Sequence, residues 1–315
     1  MTRILIIGSR GSKLALFQAE QARTRLVEAN PSLEVRIEII KTTGDIKSDP
    51  LTVIGGKGVF TKELEDALID RRVDIAVHSL KDLPTIIPSQ LTIGAICERE
   101  DPRDALVLRR DIKGTTSITA RLDGLAKQAI VGTSSQRRLT QLKALRPDVV
   151  IKDLRGNVDT RLRKLDEGQY DALILASAGL KRLGLAHRIT AAISPEEMLP
   201  AVGQGAVAIE LRSDDDLALD AVKPLNHDST QLACLAERSF LRALGGGCQL
   251  PIAAHAVLAE DQLKLNGLVA SQDGKQIIRD SISGKRTDAE RLGTQLAEHL
   301  ISLGADSILQ HLSGQ

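Results

Sequence analysis

Short runs of β-branched and aliphatic residues alternate with amphipathic stretches through most of the chain, and this alternation most constrains the fold. Residues 3–8 (RILIIG), 35–40 (VRIEII), 74–79 (DIAVHS) and 91–96 (LTIGAI) read as strands, with helical patterns over 12–29 and 62–72. Strands separated by helices give a mainly parallel sheet covered on both faces. The pattern restarts after Asp101-Pro102, with strands predicted at 104–110, 129–134, 149–154 and 171–177 and helices at 135–145 and 157–166. Residues 206–212 (AVAIELR) read as a strand with no helix of its own before it, so it is expected to return to the first sheet. From Asp214 onward the order changes to a helix over 228–244, three strands (252–258, 263–270, 275–283) and a last helix over 288–303. Grouped strands beside helices indicate an α+β module.

The expected fold class is therefore α/β: two α/β lobes, residues 1–99 with 200–219 and residues 100–199, followed by a C-terminal α+β domain over 220–315. A length of 315 residues agrees with two or three domains at roughly 150 residues each. A chain that crosses between two lobes is expected to form a small-molecule cleft at their interface.

Composition narrows the partners. Forty-two basic residues balance forty-one acidic ones, and only Phe17, Phe60, Tyr170 and Phe240 are aromatic. Nucleic-acid binders need a basic surface and, for single strands, stacking faces, so that class is disfavoured. The apolar runs fall far short of the roughly 20 residues a membrane span requires. Cys97, Cys234 and Cys248 fit neither a disulfide framework nor a zinc site. Together with the absence of a signal-peptide core near the amino terminus, this predicts a cytoplasmic protein in a reducing compartment.

Three predicted strand-to-helix junctions share one design: GSRGSKLA (8–15), VGTSSQRRL (131–139) and DLRGNVDTRL (153–162). Hydroxyls and Arg at a helix start, where backbone N–H groups are unpaired, suit a carboxylate or phosphate. The same residues also read as N-caps with Arg decorating the first turn. Charge adds to the first reading: residues 137–188 hold twelve Lys or Arg and six Asp or Glu, a local net of +6 in a chain of +1. Arg at 137, 138, 155 and 161 favours bidentate recognition of carboxylates. Arg163, Lys164 and Arg188 read equally as a solvated face.

Two motifs fail on spacing. IGGKGVFT (54–61) has Leu51 where a P-loop needs its first Gly and Gly58 where it needs Ser or Thr. GQGAVA (203–208) precedes a strand instead of joining a strand to a helix, so it does not cradle a dinucleotide. GGKG instead suggests a mobile lid carrying Lys57. In HSLKDLP (78–84), Lys81 and Asp82 follow a strand, where ligands of α/β lobes sit, although an exposed turn is the alternative. His78 reads as structural. Cys248 ends GGGC directly after a helix, which leaves its thiol accessible without activating it.

In their order and spacing these segments resemble the porphobilinogen deaminase (hydroxymethylbilane synthase) family. The resemblance is carried by the Arg10 and Ser12 region, TGD (43–45), GGKGVFTKELE (55–65), DIAVHSLKDLP (74–84), CEREDPRDA (97–105), VGTSSQRR (131–138), LRGNVDTRL (154–162), AGLKRLG (178–184), LPAVGQGA (199–206) and GGC (246–248). It implies two lobes like those of periplasmic binding proteins, a third domain, and a monomeric cytoplasmic transferase of tetrapyrrole (heme) biosynthesis. It implies a dipyrromethane cofactor joined to Cys248 by a thioether and used as a primer for four porphobilinogen units, each losing ammonia, before water releases hydroxymethylbilane. By the same resemblance Asp82 is catalytic, offsetting the charge of the azafulvenium cation left by ammonia. Arg10, Ser12, Lys81, Ser134, Ser135, Arg137, Arg138, Arg155, Arg161 and Arg182 bind cofactor or substrate, and Lys57 belongs to the lid. No metal is implied. One departure is Val53, where family members often carry Lys. The competing reading is a noncatalytic two-lobe protein that binds small anions.

Overall fold

The computed structural model describes residues 4–43, 60–110, 122–246 and 250–313. By internal contacts the chain groups into two units: residues 1–100 with 205–234, and residues 101–204 with 235–315.

In the first unit, strand β1 (Ile4–Ser9) leads into helix α1 (Lys13–Ala29), then β2 (Glu34–Ile39), α2 (Lys62–Ile69), β3 (Ile75–Ser79) and β4 (Leu91–Ile96). Helix α1 starts where the Ser12 Oγ accepts the Ala15 N–H at 3.3 Å, an N-cap that satisfies one orphan donor. It buries Ala15, Gln18, Ala19, Ala22 and Leu26 on one face. The sheet order is β2-β1-β3-β10-β4, where β10 is Val207–Arg212; the first three strands are parallel and β10 is antiparallel to both its neighbours. Alternation splits the strand residues: Leu5, Ile7, Ile75, Val77, Ile209 and Leu211 pack with α1, while Ala76 packs with Leu64, Ala67 and Leu68 of α2. The expectation that residues 206–212 return to the first sheet therefore holds.

The second unit repeats the plan. Its strands are β5 (Asp104–Leu108), β6 (Ile130–Gly132), β7 (Val150–Lys152), β8 (Ala172–Ala176) and β9 (Ala191–Ile193). The order is β7-β6-β8-β5-β9, with β6, β7 and β8 parallel and β5 antiparallel to β8 and β9. Helices α3 (Gln136–Leu145), α4 (Val158–Asp166) and α5 (Ser177–Arg182) follow β6, β7 and β8 in turn. In each sheet the antiparallel strand beside the parallel trio is the one that follows a crossing of the chain, at 100/101 for β5 and 204/205 for β10.

Beyond β10 come α6 (Asp216–Val222) and α7 (Asp228–Ala243), whose residues divide between the two units after Cys234. The antiparallel meander β11 (Ile252–Ala259), β12 (Gln262–Ala270) and β13 (Ile277–Lys285) follows, with α8 (Ala289–Ser302) and α9 (Ala305–Ser313) last. A Cβ at Gly267 of β12 would stand 2.6 Å from the Phe240 ring, so this glycine lets α7 lie against the strand. Glu237, wholly buried in α7, accepts the Gly203 N–H at 2.7 Å and the Ala256 N–H at 2.8 Å, tying the loop before β10 to β11.

Gly205 has φ of +90°, and a Cβ there would lie 2.3 Å from the Glu100 carbonyl oxygen. Gly205→Ala combines a left-handed backbone penalty with a backbone clash, so it is expected to cost about 2 kcal/mol or more. A urea unfolding midpoint equal to that of the wild type would refute this.

Candidate active site

Strands β1 and β3 are parallel neighbours, so their carboxyl ends emerge side by side. In α/β sheets this is the edge where ligands are bound. Arg10 follows β1, and its guanidinium lies over the Phe60 ring, 4.2 Å from the centroid, a cation–π contact that fixes where its charge sits. The Ser12 Oγ caps α1 as an acceptor, a role that does not consume its O–H donor. At the end of β3, Ser79 exchanges hydrogen bonds with the buried Gln18 of α1, at 3.0 Å and 3.2 Å. Leu80 and Leu83 are buried, and the Leu80 N–H donates to the Ala206 carbonyl at 3.0 Å. Between these two anchors a single 3-10 turn (Leu80–Asp82) holds Lys81 half-buried and Asp82 exposed. The sequence placed Lys81 and Asp82 at a strand end, and the turn does carry them there.

The second unit presents a different kind of site. Asp104, at the start of β5 and opposite Ala176 at the end of β8, is wholly buried. Its Oδ2 accepts from Arg137 Nη1 at 2.7 Å. Its Oδ1 accepts from Arg138 Nη2 at 2.8 Å, Arg138 Nε at 3.0 Å, Arg137 Nη2 at 3.3 Å and Gln204 Nε2 at 2.9 Å. Arg137 also donates to the Leu199 carbonyl, and Arg138 to the Ile174 carbonyl. Burial pushes the Asp104 carboxyl up, but the two guanidinium charges and their hydrogen bonds more than reverse this and hold it well below the usual aspartate range. Burial conversely lowers the Arg137 guanidinium, against the pull of Asp104.

Two cations against one anion leave a buried positive charge in excess. Among the described residues Arg137 Nε has no hydrogen-bond partner. The sequence read Arg137 and Arg138 as carboxylate-binding residues at the start of α3; within the protein the carboxylate they meet is that of Asp104, a residue that sequence reasoning passed over as the first position of a buried strand.

Arg155 and Arg161 flank the start of α4. Arg155 Nε donates to Asp153 at 2.8 Å and Arg161 Nε to the Gly156 carbonyl at 2.6 Å, and both are half-buried. Arg182 ends α5 and is half-buried as well. Ser134 donates to the Leu154 carbonyl at 2.9 Å, and Ser135 occupies the N-cap of α3 with its own N–H on Thr133 Oγ1. Within the stretch 137–188 Arg146 pairs with Asp148, Arg163 with Glu167 and Arg188 with Asp166, and the excess that remains is further offset from outside it by Asp101, which meets Lys181 at 3.0 Å, and by Asp104. Lys57, Val53 and Cys248 lie outside the described residues. Among the described residues there is no cluster of three or more His, Cys, Asp or Glu that could hold a metal, and no helix long and apolar enough to cross a membrane.

Each unit thus contains an open α/β sheet with cationic side chains close to its strand ends. A family model described as "Porphobilinogen deaminase, dipyromethane cofactor binding domain" matches residues 5–220, and one described as "Porphobilinogen deaminase, C-terminal domain" matches residues 231–302. A porphobilinogen deaminase of Synechococcus sp. (strain RCC307) is 53% identical over 306 residues, covering 97% of this chain and 95% of that one. The chain belongs to the porphobilinogen deaminase family. Solved structures with a similar course include a TRAP periplasmic solute binding protein from Desulfovibrio salexigens, 12% identical, covering 72% of this chain and 73% of that one with a TM-score of 0.44. The second substrate binding domain of Lactococcus lactis GlnP is 13% identical, covering 77% and 90%, also with a TM-score of 0.44.

Proposed function

We propose that the protein is a transferase that joins four porphobilinogen units, with loss of ammonia, onto a dipyrromethane primer attached to Cys248 by a thioether, then releases hydroxymethylbilane to water. The observation that carries this reading is the buried Asp104–Arg137–Arg138 cluster, with one positive charge in excess and one unpaired Nε donor. An acetate or propionate of a pyrrole ring supplies the missing negative charge and acceptor. The residues present therefore fit a carboxylate-rich group. The bound dipyrromethane supplies the pyrrole carbon that accepts each new unit. A monomeric, cytoplasmic enzyme of three domains is part of the same proposal, and a noncatalytic anion binder is not favoured by the family match.

Under this reading Arg137, Arg138, Arg155, Arg161 and Arg182, with Ser134 and Ser135, hold pyrrole carboxylates, and Asp104 keeps the first two arginines in place. Arg10, Ser12 and Lys81 hold carboxylates beside β1 and β3. Lys57 contributes from the segment between β2 and α2. Asp82 accepts pyrrole N–H groups and offsets the positive charge that develops on the substrate as the C–N bond to ammonia breaks. It also receives and returns protons during that elimination.

The intact mass of the purified protein tests the reading. The wild type is expected to exceed its sequence mass by one dipyrromethane adduct, and Cys248→Ser is expected to lack it. A wild type at its bare sequence mass that is fully active without a primer would overturn the cofactor assignment.

A further inference from the structure

A polar cluster that the chemistry above does not use lies behind the strand that ends in Ser79. His78 of β3 stands opposite Ala208, and Glu210 of β10 stands opposite Ala76. Both belong to the sheet face covered by α2. His78 Nε2 and Glu210 Oε2 approach to 3.0 Å, with the side chains 4% and 0% exposed. The approach is off the hydrogen-bond axis: among the described residues, neither Glu210 oxygen has a hydrogen-bond partner. Glu65 of α2 faces the same cluster. Burial pushes its carboxyl up, Thr61 and His78 oppose the rise, and Glu210 and Asp66 add to it.

Two carboxylates and an imidazole are expensive to hold out of water. Replacing a buried pair of this kind with apolar side chains is often neutral or stabilising, and its best-attested use is to select one register. Register is a real problem here. Strand β10 joins β3 from more than a hundred residues further along the chain, so no tight turn fixes their alignment. The observed alignment sets Val207 opposite Ser79 and so brings the Ala206 carbonyl to the Leu80 N–H, the bond that begins the turn bearing Lys81 and Asp82. A slip of one residue would turn Glu210 to the face of α1, among Ile75, Val77 and Val222. It would also move the carbonyl that anchors Leu80.

We propose that the buried His78–Glu210 pair is a register lock for β10 against β3, which makes both side chains positioning residues for Asp82 through the Leu80–Ala206 hydrogen bond. The activity half of its test rests on the function proposed above; the exchange half does not.

The test uses full-length Glu210→Gln and the apolar double variant His78→Leu/Glu210→Leu, measured for melting temperature, porphobilinogen turnover, adduct mass and amide hydrogen exchange over residues 79–83. In Glu210→Gln the Leu80 amide is expected to exchange about tenfold faster at an unchanged melting temperature, since only a local opening is eased. Its kcat is expected to fall about tenfold with KM within about threefold, as for a misplaced catalytic group. The double variant is expected to melt at or above the wild-type temperature while showing neither the slow exchange nor the wild-type kcat. Wild-type exchange or wild-type kcat in Glu210→Gln overturns the lock, as does a double variant that recovers both. A wild-type protein that neither carries the adduct nor turns over porphobilinogen would instead overturn the proposed function, and the exchange result would still decide the lock.

Discussion

Asp104→Asn is expected to lower the stability of the second unit by about 3–5 kcal/mol, because it strands two buried guanidinium groups that pair with no other carboxylate among the described residues. The side chain keeps its size and the Gln204 contact can persist, so the loss isolates charge from packing. At 2–4 °C per kcal/mol for a unit of this size, the melting temperature should fall by roughly 10 °C. The pH dependence has a definite sign. The folded Asp104 carboxyl is held below its unfolded value, so its contribution is complete above the ordinary aspartate value of about 3.9 and is lost as pH falls through the lower folded value. Wild type should therefore lose stability in acid below about pH 4, and Asp104→Asn should show a shallower acid limb. Equal melting temperatures at pH 7, or parallel acid limbs, would show that Arg137 and Arg138 are neutralised by something other than Asp104.

This cluster also marks where sequence reading stops. Strand and helix periodicity located most elements of the two sheets to within a residue or two, because alternation and amphipathic spacing are local properties. The return of β10 was legible from the lack of a helix before it. Short elements with little periodicity, such as α5, α6 and β9, carry too few turns or alternations to stand out. Orientation of long polar side chains was not legible at all. Arg137 and Arg138 are adjacent on α3 and point about 100° apart at Cα, yet both guanidinium groups converge on one carboxylate from a strand more than thirty residues earlier. No periodic signal records such a contact. Local charge counting likewise overstated the free positive charge, because acids outside the stretch counted, Asp104 and Asp101, meet Arg137, Arg138 and Lys181. His78, by contrast, was read as structural from the absence of any catalytic motif around it, and it is indeed buried; its partner Glu210 lies too far along the chain for a sequence pattern to reveal.

Asp82→Asn is expected to reduce porphobilinogen turnover by about 10²–10³-fold, the range found when one group that stabilises developing charge is removed. The melting temperature should barely change. Asp82 is exposed on a turn whose anchors are its neighbours: Leu80 and Leu83 are buried, and the backbone is tied to Ala206. Substitution at an exposed turn position away from such anchors is worth about 0.5 kcal/mol or less. An exposed carboxylate is a weak electrostatic device in water, so its effect depends on a ligand that covers it and lowers the local dielectric. The dipyrromethane adduct should remain visible by mass in Asp82→Asn if the residue acts on elongation and not on attachment. Asp82→Glu separates charge from placement: it restores the carboxylate but extends it by one methylene, so turnover should recover only in part. A misplacement of 1 Å already costs on the order of 10²-fold. Full turnover in Asp82→Asn would remove the carboxylate from the chemistry. Full turnover in Asp82→Glu would show that the rigid turn between Leu80 and Leu83 is not needed to aim it.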